Sequence, residues 1–166
     1  MKSDLNDYDL FLKFLETYSP KGFLGINSDD ALMQELESRM KEDKQFIYVA
    51  DAIQMKILFT SNGSSRMIDI LPEDLSLYHF MEATHPNDIQ RLSLGRAKVI
   101  KIAQDLFIAE KGYSILSTNI KIRNAKGGYT DFLIQGYLYF TTIPYKTVYF
   151  LKIHTDLSWH KKIKFG

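Results

Sequence analysis

The 166-residue chain has a formal net charge of +1, with 45% apolar and 25% charged residues. That balance fits one soluble domain with a real core and gives no strong field aimed at nucleic acid or an anionic membrane. The absence of cysteine removes disulfides, thiolate nucleophiles, cysteine metal sites and cysteine–cofactor adducts together. No apolar leader follows Met1 and no uncharged apolar run is long enough to span a bilayer, so a cytoplasmic protein is expected.

Leu5, Tyr8, Leu12 and Leu15, widened by Phe11, recur at helical spacing and predict an amphipathic helix from about Ser3 to Thr17. Ser19-Pro20-Lys21-Gly22 ends it. Asn27-Ser28-Asp29-Asp30 offers capping chemistry for a second helix, lined by Leu32, Leu36 and Met40 and ending near Lys44. These two helices are expected either to cover a sheet of the same chain or to pair with a second subunit. Phe46 to Asp51 and Met55 to Ser61 read as a hairpin joined by Ala52-Ile53-Gln54. Asn62-Gly63-Ser64-Ser65 leads into a short helical turn, Arg66 to Leu71, and Pro72 opens another.

His85-Pro86-Asn87-Asp88 starts the longest helix, with Asp88 placed for the free N–H groups of its first turn. Ile89, Leu92, Val99, Ile100, Ala103, Leu106 and Phe107 carry its stripe, and Glu110-Lys111-Gly112 ends it. Three strands follow: Tyr113 to Arg123, Tyr129 to Thr141 and Tyr145 to Leu157. Asn124 to Gly128 and Thr141 to Pro144 are connections short enough to make an antiparallel meander. In the middle strand Phe132, Ile134, Gly136, Leu138 and Phe140 share one face, and Leu133, Gln135, Tyr137 and Tyr139 the other. Neither face is charged, so both are expected to be covered.

Four local motifs, in order, resemble those of the PAS sensory domains. Leu71-Pro72-Glu73-Asp74-Leu75 resembles the family's proline–glutamate turn, with Asp69 where a glycine is common. His85-Pro86-Asn87-Asp88 resembles its helix start, and Arg123-Asn124-Ala125-Lys126-Gly127-Gly128 its R-x-x-K-x-G hairpin. Asp156-Leu157-Ser158 resembles its exit toward an output helix. The whole chain is also similar to the sensory half of some LuxR-type transcription regulators.

The resemblance implies an α+β fold: a PAS-like five-stranded antiparallel sheet with helices on one face, the first hairpin beside the last strand, plus two N-terminal helices. It implies a helical extension over residues 1–44, a sensor over 45–157 and the start of an exit helix at 158–166, read with Lys161, Lys162 and Lys164 as a solvated helix start. A ligand pocket would lie near Ile100, Ala103, Phe107, Phe132, Ile134 and Phe150, and the signal would leave through Asp156, Leu157 and Ser158. An unidentified small ligand is compatible with this. Haem and flavin-adduct types are disfavoured, because the long helix has no histidine and the chain no cysteine. A homodimer through the N-terminal helices or the outer sheet face is expected, with no membrane contact. DNA would be reached only through a C-terminal helix-turn-helix domain, cut away before Gly166 or replaced by a separate effector.

Histidines 79, 85, 154 and 160 form no metal-binding pattern. His85 and Asp88 make an incomplete metal set that capping explains better. His154 and Asp156 share one side of a strand, which allows an acid–base pair or a purely structural role. No catalytic residue is assigned. The alternatives are a small isomerase- or dehydratase-like cone with an Asp or His in an apolar cavity, and a ligand-free interaction domain.

Overall fold

The computed structural model describes residues 7–158. The expectations for Ser3, Leu5 and the segment from Trp159 through Lys164 lie outside the described residues. Helices α1 (Asp7–Tyr18) and α2 (Ala31–Glu42) precede the hairpin of β1 (Gln45–Asp51) and β2 (Lys56–Thr60). Short helices α3 (Gly63–Ile68) and α4 (Leu77–Ala83) and the long α5 (Ile89–Ala109) follow. The chain then forms β3 (Tyr113–Arg123), β4 (Tyr129–Thr141) and β5 (Thr147–Asp156).

The five strands form one sheet in the order β2-β1-β5-β4-β3, antiparallel throughout. The architecture is the α+β, PAS-like one that the motifs imply. The meander's first two strands have the bounds read from sequence, and Asn124 closes their turn by accepting from the Lys126 and Gly128 N–H groups through Oδ1.

Period two divides the sheet between two cores. The inner face presents Phe46, Tyr48, Phe132, Ile134, Leu138 and Phe150 to helical residues including Phe80, Leu92, Val99 and Ala103. The outer face presents Ile47, Val49, Tyr149, Leu151 and Ile153 to Phe14, Tyr18, Met33, Leu36 and Met40 of the first two helices. Both faces carry a helix-covered core, and α1 and α2 pack on the sheet of their own chain.

Several local expectations change. The buried stripe of α1 is Leu10, Phe11, Phe14 and Tyr18, whereas Leu12 is 43% exposed. The helix is apolar on more than one side, and the sheet selects the aromatic one. Asp30 precedes α2 without capping it through its side chain. It accepts instead from the Tyr18 hydroxyl at 3.0 Å, and burial followed by this carboxylate pushes the phenol up to about 12.

The first short helix begins at Gly63 rather than Arg66, and glycine is needed at that start, since a Cβ there would lie 2.9 Å from both the Gln45 carbonyl and Phe46 Cβ. Asp69 ends it at φ +60°, the conformation for which glycine is common. Helix α4, not foreseen, is started by Ser76, whose N–H donates to His79 Nδ1 at 2.9 Å.

Asp88 is not a cap. His85 caps the turn before α5, accepting from the Asn87 N–H through Nδ1 at 3.0 Å. Asp88 is buried and accepts from the Lys121 N–H of β3 at 2.8 Å. With the His85 N–H on the Lys121 carbonyl at 2.8 Å, the motif clamps the long helix to the sheet edge.

Candidate functional site

The long helix crosses the inner face without closing onto it everywhere. Between α5 and strands β3 to β5 lies a cleft of about 440 Å³. Leu92 and Val99 line it from the helix, Leu116 and Ile120 from β3, Ile134 and Gly136 from β4, and Phe150 and Lys152 from β5. Gly136 has a steric reason: a Cβ at this position would sit 2.5 Å from the Phe150 ring. A smaller cavity of about 50 Å³ toward α4 shares Leu92, Arg96, Val99, Phe150 and Lys152 with the cleft.

The alternation of β5 puts Val148, Phe150, Lys152 and His154 on the inner face. Lys152 is therefore a cation on the apolar side. It is half-buried, with Nζ 5.2 Å from the centre of the Phe150 ring and 5.9 Å from that of Tyr48. Burial, with Arg96 adding to it, pushes its ammonium down to about 8. Among the described residues no carboxylate forms an ion pair with Lys152 or Arg96. Asp51 lines the smaller cavity, but its Oδ1 accepts from the Ile53 and Gln54 N–H groups and its Oδ2 from the Tyr145 hydroxyl.

His154 is fully buried and stacked between Phe46, at 4.4 Å, and Phe80, at 5.1 Å. Neither ring nitrogen has a hydrogen-bond partner among the described residues. No pair with Asp156 forms, and the Asp156 Oδ1 accepts instead from the Ser158 N–H at 2.7 Å. Burial, and then the charge of Lys152, holds the imidazole well below its ordinary range, so it stays neutral in the fold. In the unfolded chain it takes up a proton below about pH 6.5, and stability falls as pH drops through that range. Lowering the pH from 6.5 to 5.5 is expected to cost about 1 kcal/mol through this residue. Urea titrations at the two pH values should show the loss in the native chain and its removal in His154→Phe.

Of the six residues expected near a pocket, Ile134 and Phe150 line the cleft. Phe132 and Ala103 are core, and Phe107 packs on that core beneath Lys146 Nζ, 4.5 Å from its ring centre. Ile100 is half-buried and belongs to neither core. Lys152 and Arg96 were missed, although a lysine in phase with Phe150 and His154 was the available signal. The exit residues come together: the Asp156 N–H donates to the Lys44 carbonyl at 2.9 Å and the Leu157 N–H to the Asp131 carbonyl at 2.8 Å. The outgoing helix itself lies outside the described residues. No group of three metal-ligating side chains gathers among the described residues.

On the outer side, α1 leaves part of the sheet open. A groove of about 570 Å³ runs beside Phe11, Leu12, Leu15, Tyr113, Ile115 and Tyr137. Tyr113 is 74% and Ile115 51% exposed.

No family model and no curated protein matches the chain. Solved structures do. An RNA-binding light-oxygen-voltage receptor is similar over 72% of this chain at 17% identity and a TM-score of 0.47, and the chain spans 30% of that receptor. The N-terminal domain of a diguanylate cyclase with PAS/PAC sensor from Marinobacter aquaeolei is similar over 70% of this chain and 98% of its own, at 9% identity and 0.48. A sensory box histidine kinase/response regulator from Burkholderia thailandensis is similar over 77% and 88%, at 11% identity and 0.48. The strand order and the placement of α5, rather than these scores, carry the fold assignment.

Proposed function

We propose that this chain is a non-enzymatic sensory and dimerisation module of a cytoplasmic transcription regulator. A small ligand in the inner cleft, or a partner protein, biases an attached helix-turn-helix domain that contacts DNA. The observation that carries this reading is the double role of β5. Its inner side chains floor the cleft, and its end holds the exit through the Asp156 and Leu157 N–H groups. A ligand can shift the exit only by its difference in affinity between two arrangements of helix and sheet. Native mass spectrometry of freshly purified protein is expected to show a small molecule that leaves on denaturation. Bare protein in every preparation, together with no binder in a metabolite screen, contradicts the sensory reading.

The outer groove supports a homodimer, because an apolar patch that pairs with its own copy forms a closed two-fold contact. The native chain is expected to sediment as a dimer, and Ile115→Glu as a monomer. A native chain that remains monomeric at high concentration contradicts the dimer.

A further inference from the structure

We infer that the inner cleft takes a small organic anion, one acidic group carried on an apolar body, with Lys152 and Arg96 holding the acid. This rests on the sensory reading above and assigns the chemistry of its ligand. The cleft is lined by Arg91, Arg96, Lys98 and Lys152 and by no carboxylate. Arg91 is already occupied, donating to the Asn119 carbonyl at 2.7 Å and lying 3.8 Å from Asp88. Lys98 borders the cleft alone and does not reach the smaller cavity. Lys152 and Arg96 remain, from opposite walls, and both also line the smaller cavity.

A half-buried ammonium without a counter-ion is costly, and an acidic group placed between the two cations supplies what the protein does not. The walls argue for an apolar body: Leu92, Val99, Ile134 and Phe150 surround the two charges, and the Phe150 ring lies over Gly136, the position paired with Lys152. A fully hydrated ion such as inorganic phosphate would leave these apolar surfaces unused.

The test uses two fluorescent probes with nearly the same apolar body: anilinonaphthalene sulfonate, which is anionic, and phenylnaphthylamine, which is neutral. Titrated into the native chain, the sulfonate is expected to bind at least tenfold more tightly than the amine. Lys152→Met should weaken the sulfonate at least tenfold and Arg96→Gln about threefold, while the amine stays within twofold in both. Arg96 is exposed, so its variant preserves the test should the other fail to fold. Leu12→Glu, in the outer groove, should leave sulfonate binding unchanged. Equal binding of both probes, insensitive to Lys152 and Arg96, overturns the anion preference while a ligand cleft stands. Binding of neither probe, with no co-purified molecule, overturns the sensory reading as well.

Discussion

Lys152→Met is expected to make the protein more stable by roughly 2 kcal/mol at pH 7, raising its melting temperature by several degrees. Methionine keeps the length of the stem and removes the charge. The lysine's ammonium is pushed down to about 8 from an ordinary 10.5, a change worth about 3 kcal/mol, and the solvent contact of a half-buried side chain trims it. The sign follows from proton linkage. Below pH 8 the folded protein carries a poorly solvated charge that the unfolded chain solvates well. Between pH 8 and 10.5 the folded state sheds its proton first, so the penalty fades as pH rises.

The gap between variant and native chain should therefore close progressively above pH 8. Burial pushes the Tyr48, Tyr139 and Tyr149 phenols up, so above about pH 10 they count against folding. They do so in both proteins and cancel in the difference. Thermal unfolding by circular dichroism across pH 7 to 9.5 reads this directly. A destabilised variant, or a gap independent of pH, contradicts the uncompensated charge. A residue whose removal stabilises the fold is the expected mark of one kept for binding.

Phe14→Ala is expected to cost about 3–5 kcal/mol, whereas Leu12→Ala should cost less than about 0.5 kcal/mol. Phe14 is fully buried, with ring centres 5.4 Å from Tyr18, 5.6 Å from Phe23 and 5.5 Å from Phe59. Removing it empties the middle of the outer core. Leu12, two residues earlier, borders the open groove. Against a typical domain stability of about 5–15 kcal/mol the first change is severe. Urea unfolding of the two variants reads the contrast. Similar losses for both would mean that α1 presents a different face to the sheet.

That pair also shows where the sequence was readable. The meander could be bounded to the residue for β3 and β4, since strand alternation and the Asn124 turn are local signals. The phase of α1 was legible only in part: Phe11 is buried and Leu15 packs against the outer core as read, but Leu12 keeps the same helical spacing as Leu10, Phe14 and Tyr18 and faces out. Only the sheet, distant in sequence, chooses between them. Helix α4 has seven residues, too few for periodicity to emerge. The role of Asp88 was hidden for the same kind of reason: its partner is a backbone N–H on β3, 33 positions away. At the cleft, alternation put Ile134 and Phe150 on the inner face, and the family resemblance put a pocket against that face. Lys152 obeyed that alternation too, yet a charged residue does not announce itself as part of an apolar face.

The proposed sensory role requires the cleft and the exit to be joined through β5. Hydrogen–deuterium exchange of the native chain, with and without saturating anilinonaphthalene sulfonate, tests it most directly. Slower exchange is expected at Asp156 and Leu157, whose N–H groups hold the exit to the Lys44 and Asp131 carbonyls, together with protection of the cleft strands. Protection of the cleft strands with no change at those two amides would contradict it.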